Sequence, residues 1–170
     1  MNKHLLSIPL LAFATLLAAD EFTVEVPMHI KGAHTYYVSG RIGDSLSDDF
    51  MVDTGSSYMM INELTLAQLE SMGEAQYLRE LTGILADGTE MQVPVYRLSA
   101  VRIGEKCLLQ DVEAAVFPGD TRQILGLSAL QKAAPFIFST QPPKLQLSHC
   151  QAGNSETDNQ TELVADSLDS

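Results

Sequence analysis

Turn-forming residues cut this chain into short pieces, and that most limits what it can become. From Glu21 to about Gln146, Gly43-Asp44, Ala86-Asp87-Gly88, Gly104-Glu105-Lys106 and Pro118-Gly119-Asp120 interrupt the sequence. The runs between them alternate apolar and polar residues or are rich in β-branched and aromatic side chains. Phe22, Val24, Val26 and Met28 alternate with Thr23 and Glu25, the pattern of a half-buried strand. Tyr36–Ile42, Asp49–Val52 and Val112–Phe117 read as further strands, and Phe136–Phe138 with Lys144–Leu147 as a last hairpin. Asp87-Gly88 between Thr82–Leu85 and Thr89–Val93 is a strong hairpin signal. Only two segments suit a helix. Asn62 is placed to cap Glu63–Met72, with Gly73 at the stop and Leu66, Leu69 and Met72 near one face. Leu127–Ala133 is a short second candidate, ending before Pro135. The expectation is an all-β domain with one or two short helices.

Composition narrows the partners. Among 170 residues, 45% are hydrophobic and 19% charged, enough apolar surface for a core. Ten Lys+Arg against 22 Asp+Glu give a net charge of −12. That opposes binding to nucleic acid or to an anionic membrane surface, both of which need clustered cations. Two cysteines are too few for a four-cysteine zinc site, and no cofactor or metal is expected. His29 and His34 read as surface histidines. Asp44, Asp48 and Asp49 lack the ligand spacing of a calcium loop. Ser128 lacks the second glycine of a nucleophile elbow. His149 beside Cys150 is set aside as a nucleophile pair, because Cys150 has a pairing partner.

The two ends differ from the middle. Residues 1–19 have the basic start, apolar run and small-residue end of a secretory signal peptide, which implies a periplasmic or secreted protein, free of the membrane once the signal is removed. Its removal takes away Lys3 and no acid. In an oxidising compartment Cys107 and Cys150 can pair, although free thiols or a bridge between chains satisfy the sequence equally. Residues 20–150 form the domain. Residues 151–170 hold Glu156, Asp158, Glu162, Asp166 and Asp169 without Lys, Arg or aromatics, and are expected to be an acidic disordered tail.

One stretch carries chemistry. Phe50-Met51-Val52-Asp53-Thr54-Gly55-Ser56-Ser57 places an acid on a tight glycine turn after an apolar strand. It resembles the active-site loop of aspartic proteases. Three features in the family's order reinforce the resemblance: that strand, the Asp87-Gly88 hairpin 34 residues downstream where the family has its flap, and Ile124-Leu125-Gly126 followed by a short helix. The resemblance covers roughly Thr35–Leu147 and looks closest to single-domain, exported bacterial retropepsin-like proteases.

The resemblance implies a closed or partly open acid-protease barrel, a peptide or protein substrate, and Asp53 as the catalytic acid. It implies that Thr54 bonds across to the opposite loop, that Gly55 allows close approach, and that Ser56 bonds an outer oxygen of Asp53. Ile84, Leu85, Ala86, Asp87 and Gly88 would form the flap, with Asp87 an unusual charge at its tip. Ile124, Leu125 and Gly126 would pack beside the loop.

The chain holds a single Asp-Thr-Gly, and metal-free hydrolysis needs both a proton acceptor and a proton donor. The expected active species is therefore a homodimer, each copy giving one Asp53, with Lys144–Leu147 a candidate for holding it together. A non-catalytic module that keeps the fold to bind peptides is the alternative reading.

Overall fold

The computed structural model describes residues 22–85 and 87–152. The expected signal peptide, Ala86 of the expected flap and all but the first two residues of the expected acidic tail, 151–170, lie outside them. In chain order the elements are β1 (Val24–Pro27), β2 (His29–Lys31), β3 (Thr35–Ile42), β4 (Leu46–Val52), β5 (Met59–Asn62), α1 (Glu63–Ser71), β6 (Ala75–Ile84), β7 (Glu90–Ile103), β8 (Cys107–Phe117), β9 (Ile124–Leu125), α2 (Leu127–Leu130), β10 (Phe136–Thr140), β11 (Pro143–Leu147) and β12 (Gln151–Ala152). A 3₁₀ turn at Gln131–Ala133 continues α2. The all-β reading holds.

Six strands close on themselves. β3 pairs with β4, β4 with β9, β9 with β5, β5 with β8, β8 with β7, and β7 returns to β3. Closure leaves no free edge within the ring. The inward positions of these strands make the core. Val38, Ile42, Phe50, Met59, Ile61, Leu98, Val101, Ile103 and Leu125 are almost wholly removed from water. Each such side chain contributes about 1.5–3 kcal/mol by its burial.

β6 extends the ring beyond β7 as a long hairpin, and β2 lies on β3. A second, three-stranded antiparallel sheet has the order β1-β11-β10. Its inward Leu145 and Leu147 join the same core.

Helix α1 starts where the sequence places it. The Asn62 side chain accepts from the Thr65 N–H at 2.8 Å, while its amide donates to the Thr121 carbonyl at 2.8 Å. Leu66 and Leu69 are buried as expected, but Met72 is 42% exposed. Met72 is the C-cap, where the chain turns toward Gly73 and leaves the helix face.

Other differences have local causes. β2, β5 and β12 are too short to show a period. β6 begins at Ala75, seven residues before its recognisable end, because the register shifts between Tyr77 and Arg79 and breaks the alternation. Gln151–Ala152, read as the start of the tail, pair with Leu108 and Cys107 of β8. Beside that pairing, Cys107 and Cys150 form a disulfide.

Candidate active site

Asp53 leaves β4 into a loop that ends at Met59. One strand pins this loop from both sides. β9 runs parallel to β4, with Met51 opposite Ile124 and Val52 opposite Leu125, and antiparallel to β5 at Met60. The Asp53 N–H donates to the Leu125 carbonyl at 3.2 Å.

Just after β9 the chain turns under the loop. The Leu127 N–H donates to the Ser56 carbonyl at 2.8 Å, and the Ser128 N–H to the Ser57 carbonyl at 3.0 Å. Gly126 makes this approach feasible. A Cβ there would sit 2.0 Å from the Tyr58 carbonyl oxygen, far inside contact distance. The Ser128 hydroxyl completes the attachment, accepting from the Met59 N–H at 2.7 Å and donating to the Glu113 carbonyl at 2.6 Å.

The carboxylate itself is oriented from within the loop. The Gly55 N–H donates to Asp53 Oδ1 at 2.8 Å, and the Ser56 N–H to the Asp53 carbonyl at 3.3 Å. Thr54 and Gly55 are exposed. Asp53 opens onto a groove of about 610 Å³, walled by Tyr58 and Met60 near the loop, by Val93 and Phe117 on the barrel, and by Ile84 and Leu85 of the hairpin. Asp53 is the sole carboxylate among its described lining residues.

The hairpin over the groove is built differently. Ile84 pairs with Glu90, and the turn closes through Leu85 N–H to Thr89 O at 2.8 Å and Gly88 N–H to Leu85 O at 2.9 Å. Gly88 has φ +84°, a region that favours glycine. Asp87 Oδ1 accepts from the Thr89 N–H at 2.9 Å, and this backbone bond holds its carboxyl below the usual carboxylate range.

Comparison with known proteins fits this geometry. Residues 38–132, more than half of the chain, match the family described as "gag-polyprotein putative aspartyl protease". The chain belongs to the retropepsin-like aspartic proteases. Among solved structures it is similar to a retropepsin-like aspartic protease from Rickettsia conorii, with a TM-score of 0.53, 20% identity, and coverage of 76% of this chain and 93% of that one. At that identity the likeness speaks for the fold, an acid-protease barrel. Comparison with curated proteins gives no match.

Against the retropepsin pattern, the structure gathers Asp53, Gly55, Ser56, Ile84, Leu85 and Ile124 around one groove. Leu125 and Gly126 lie behind the loop, and Asp87 and Gly88 lie beyond the groove at the hairpin tip. One expected contact is different. The Ser56 hydroxyl donates to the Tyr58 carbonyl at 2.7 Å, and the side-chain oxygen of Asp53 is served by the Gly55 N–H instead. A hydroxyl has one proton to give, and the loop carbonyl is the acceptor within reach. The Cys107–Cys150 bond lies at the other end of β8, about 26 Å along the strand from the groove residue Ala115.

Sequence reasoning missed Tyr58, Val93 and Phe117 as groove walls, and Ser128 as the peg beneath the loop. Ser128 was weighed only as a nucleophile. Its position two residues after Gly126 was the available signal.

Proposed function

We propose that this chain is an aspartic endopeptidase whose active site is completed by a second copy of itself. The observation that carries the reading is a carboxylate, held by a pinned loop, that is alone of its kind among the described residues lining a largely apolar, peptide-sized groove beside a hairpin. One carboxylate cannot both take a proton from water and give one to the substrate.

Two copies related by a two-fold axis supply two Asp53 side chains. At about 3 Å, two like charges repel by about 5 kcal/mol at an effective dielectric near 20, so the pair retains one shared proton. The ionised Asp53 takes a proton from the attacking water, and the protonated one gives its proton to the scissile carbonyl oxygen. The oxygen of water bonds to the carbonyl carbon, giving a tetrahedral diol. The C–N bond then breaks as the protonated Asp53 gives its proton to the leaving amine and the ionised one takes a proton from a diol hydroxyl. The pair returns to its singly protonated state. An extended substrate fits the groove, with its backbone pairing to the hairpin and apolar side chains on the walls. Closure of the hairpin excludes water from the developing charge.

Lys144–Leu147, expected to hold the dimer, has no free edge. β11 lies between β1 and β10, and both of its sides are paired. The outer edge of β10 is the better place for a second copy. Ile137 and Phe138 there are 41% and 37% exposed. The Phe138 ring stands edge-on to Tyr36 at 5.3 Å. Tyr36 adjoins Tyr37, which pairs with Met51, two residues before Asp53. This apolar edge thus lies at the Asp53 end of the barrel. The Cys107–Cys150 bond supports export to the periplasm or beyond, where disulfides persist.

The test compares the mature chain with Asp53→Asn on a peptide library from pH 3 to 7, with sedimentation run in parallel. Cleavage lost in the variant supports the reading. A strict monomer that cleaves would refute the shared site. A folded dimer without cleavage at any pH would favour a peptide-binding role.

A further inference from the structure

Tyr58 is tied at both ends. Its carbonyl accepts from Ser56 and lies against Gly126, as described above. Its hydroxyl, across the ring, accepts from Arg79 Nη2 at 2.9 Å. The same nitrogen donates to Glu113 Oε2 at 2.6 Å, a charge-assisted bond. The Arg79 guanidinium also lies 5.9 Å from the centre of the Tyr58 ring. Three separate pieces of chain therefore meet: the end of the active-site loop, β6 of the hairpin, and β8 of the barrel. Arg79 follows the register shift in β6, an irregularity of the kind that re-aims a side chain.

The ring held this way is a wall of the Asp53 groove, whose neighbouring walls include Met60 and Phe117. A tyrosine that kept its usual torsional freedom could swing and change the shape of that wall. Bonded to Arg79, it cannot swing without breaking an ion-paired donor's contact. The hairpin is also tied to the barrel at this point, well below its exposed tip.

We propose that Tyr58 contacts the substrate and sets its side-chain preference, and that Arg79 and Glu113 are positioning residues that hold the ring in place. This rests on the groove being the peptide site. It assigns side-chain selection to a wall near the catalytic loop, not to the charge of Asp87 at the tip. The side chain selected is apolar, because the wall that Tyr58 shares with Met60 and Phe117 is uncharged and the adjoining Arg79 is already paired with Glu113.

The experiment measures Tyr58→Phe, Arg79→Met, Arg79→Lys and the Tyr58→Phe/Arg79→Met double variant. The probes are two fluorogenic peptides that differ only by an apolar or an aspartate residue beside the scissile bond, and an uncleavable statine-containing peptide for direct binding. The expected result is that each single change to Phe or Met raises KM for the apolar peptide about 3–10-fold, leaves kcat within about two-fold, and narrows the preference over aspartate. The double variant should be no worse than the poorer single, because both remove the same bond. Arg79→Lys should fall between, since it keeps the charge but not the fork. Thermal unfolding shows whether a variant is folded; if Arg79→Met is not, Tyr58→Phe and Arg79→Lys carry the test.

KM, preference and statine-peptide affinity all at wild-type values would overturn the proposal, as would additive effects in the double variant. A wild-type chain that binds the statine peptide without cleaving either substrate sinks the protease reading alone. The variants' shifted affinity then still supports the role of Tyr58. A chain that neither cleaves nor binds overturns both.

Discussion

The Asp53 loop, which lines the groove, and the hairpin tip, which lies beyond it, are held in opposite ways. Besides its local bonds, the loop is tied to residues about seventy positions away: Asp53 to Leu125, Ser56 to Leu127, Ser57 and Met59 to Ser128. Among the described residues, the tip's bonds stay inside the tip, among Leu85, Asp87, Gly88 and Thr89. Ile84, at its edge, is 73% exposed. A segment satisfied by distant partners cannot move without breaking them. A segment satisfied by itself moves as a unit at little cost. A catalytic acid needs the first condition, and a lid over a groove needs the second.

The comparison breaks most sharply at the acid itself. Asp53→Asn keeps the loop's backbone bonds but removes the proton chemistry. It should lower kcat by at least about 10³-fold with an unchanged unfolding midpoint, read by peptide cleavage and by melting.

Gly126→Ala is next, because its Cβ must displace the Tyr58 carbonyl. It should cost about 3 kcal/mol or more in denaturant unfolding, and activity with it.

Ser128→Ala leaves the Met59 N–H and the Glu113 carbonyl without their hydroxyl partner. About 1–3 kcal/mol of stability should go. Asp87→Ala, the matching change at the tip, should keep the unfolding midpoint within about 2 °C, since only an exposed turn loses a bond. A large loss of stability there would mean that the tip is tied into the fold after all.

The smallest effect is in acid. Arg79 first of all, through its hydrogen bond, holds the Glu113 carboxyl below its ordinary value of 4.5. A carboxyl depressed on folding adds stability above its unfolded pKa and loses it as pH falls through the lower folded value. Glu113→Gln should therefore be less stable than wild type at pH 6, and the gap should shrink as pH falls below 4.5. An equal gap at all pH values would remove the charged contact from the account.

The parts legible in the sequence are those written in near neighbours. Asp87-Gly88 makes its turn, Asn62 caps its helix, and Phe50–Val52 runs as a strand into Asp53, because torsional preference and alternation act over a few residues. The strand at Met59–Asn62 was hidden, being four residues long with almost every side chain buried and no polar face to show a period. The Ser56 hydroxyl bonds the Tyr58 carbonyl, and that carbonyl's place depends on the chain packed against it at Gly126, seventy residues on.

The residue pattern by itself determined an all-β chain with one acid on a glycine turn and a hairpin to follow. On the proposed reading, a single such acid needs a second copy for hydrolysis. Only the tertiary structure decided that β7 returns to β3 and β8 to close the barrel, and that Arg79 reaches Tyr58 and Glu113. It also decided that β11 is closed on both sides while β10 keeps an edge. Those outcomes depend on which distant strands meet, and side-chain period and turn chemistry carry no record of residues 34 or 70 places away.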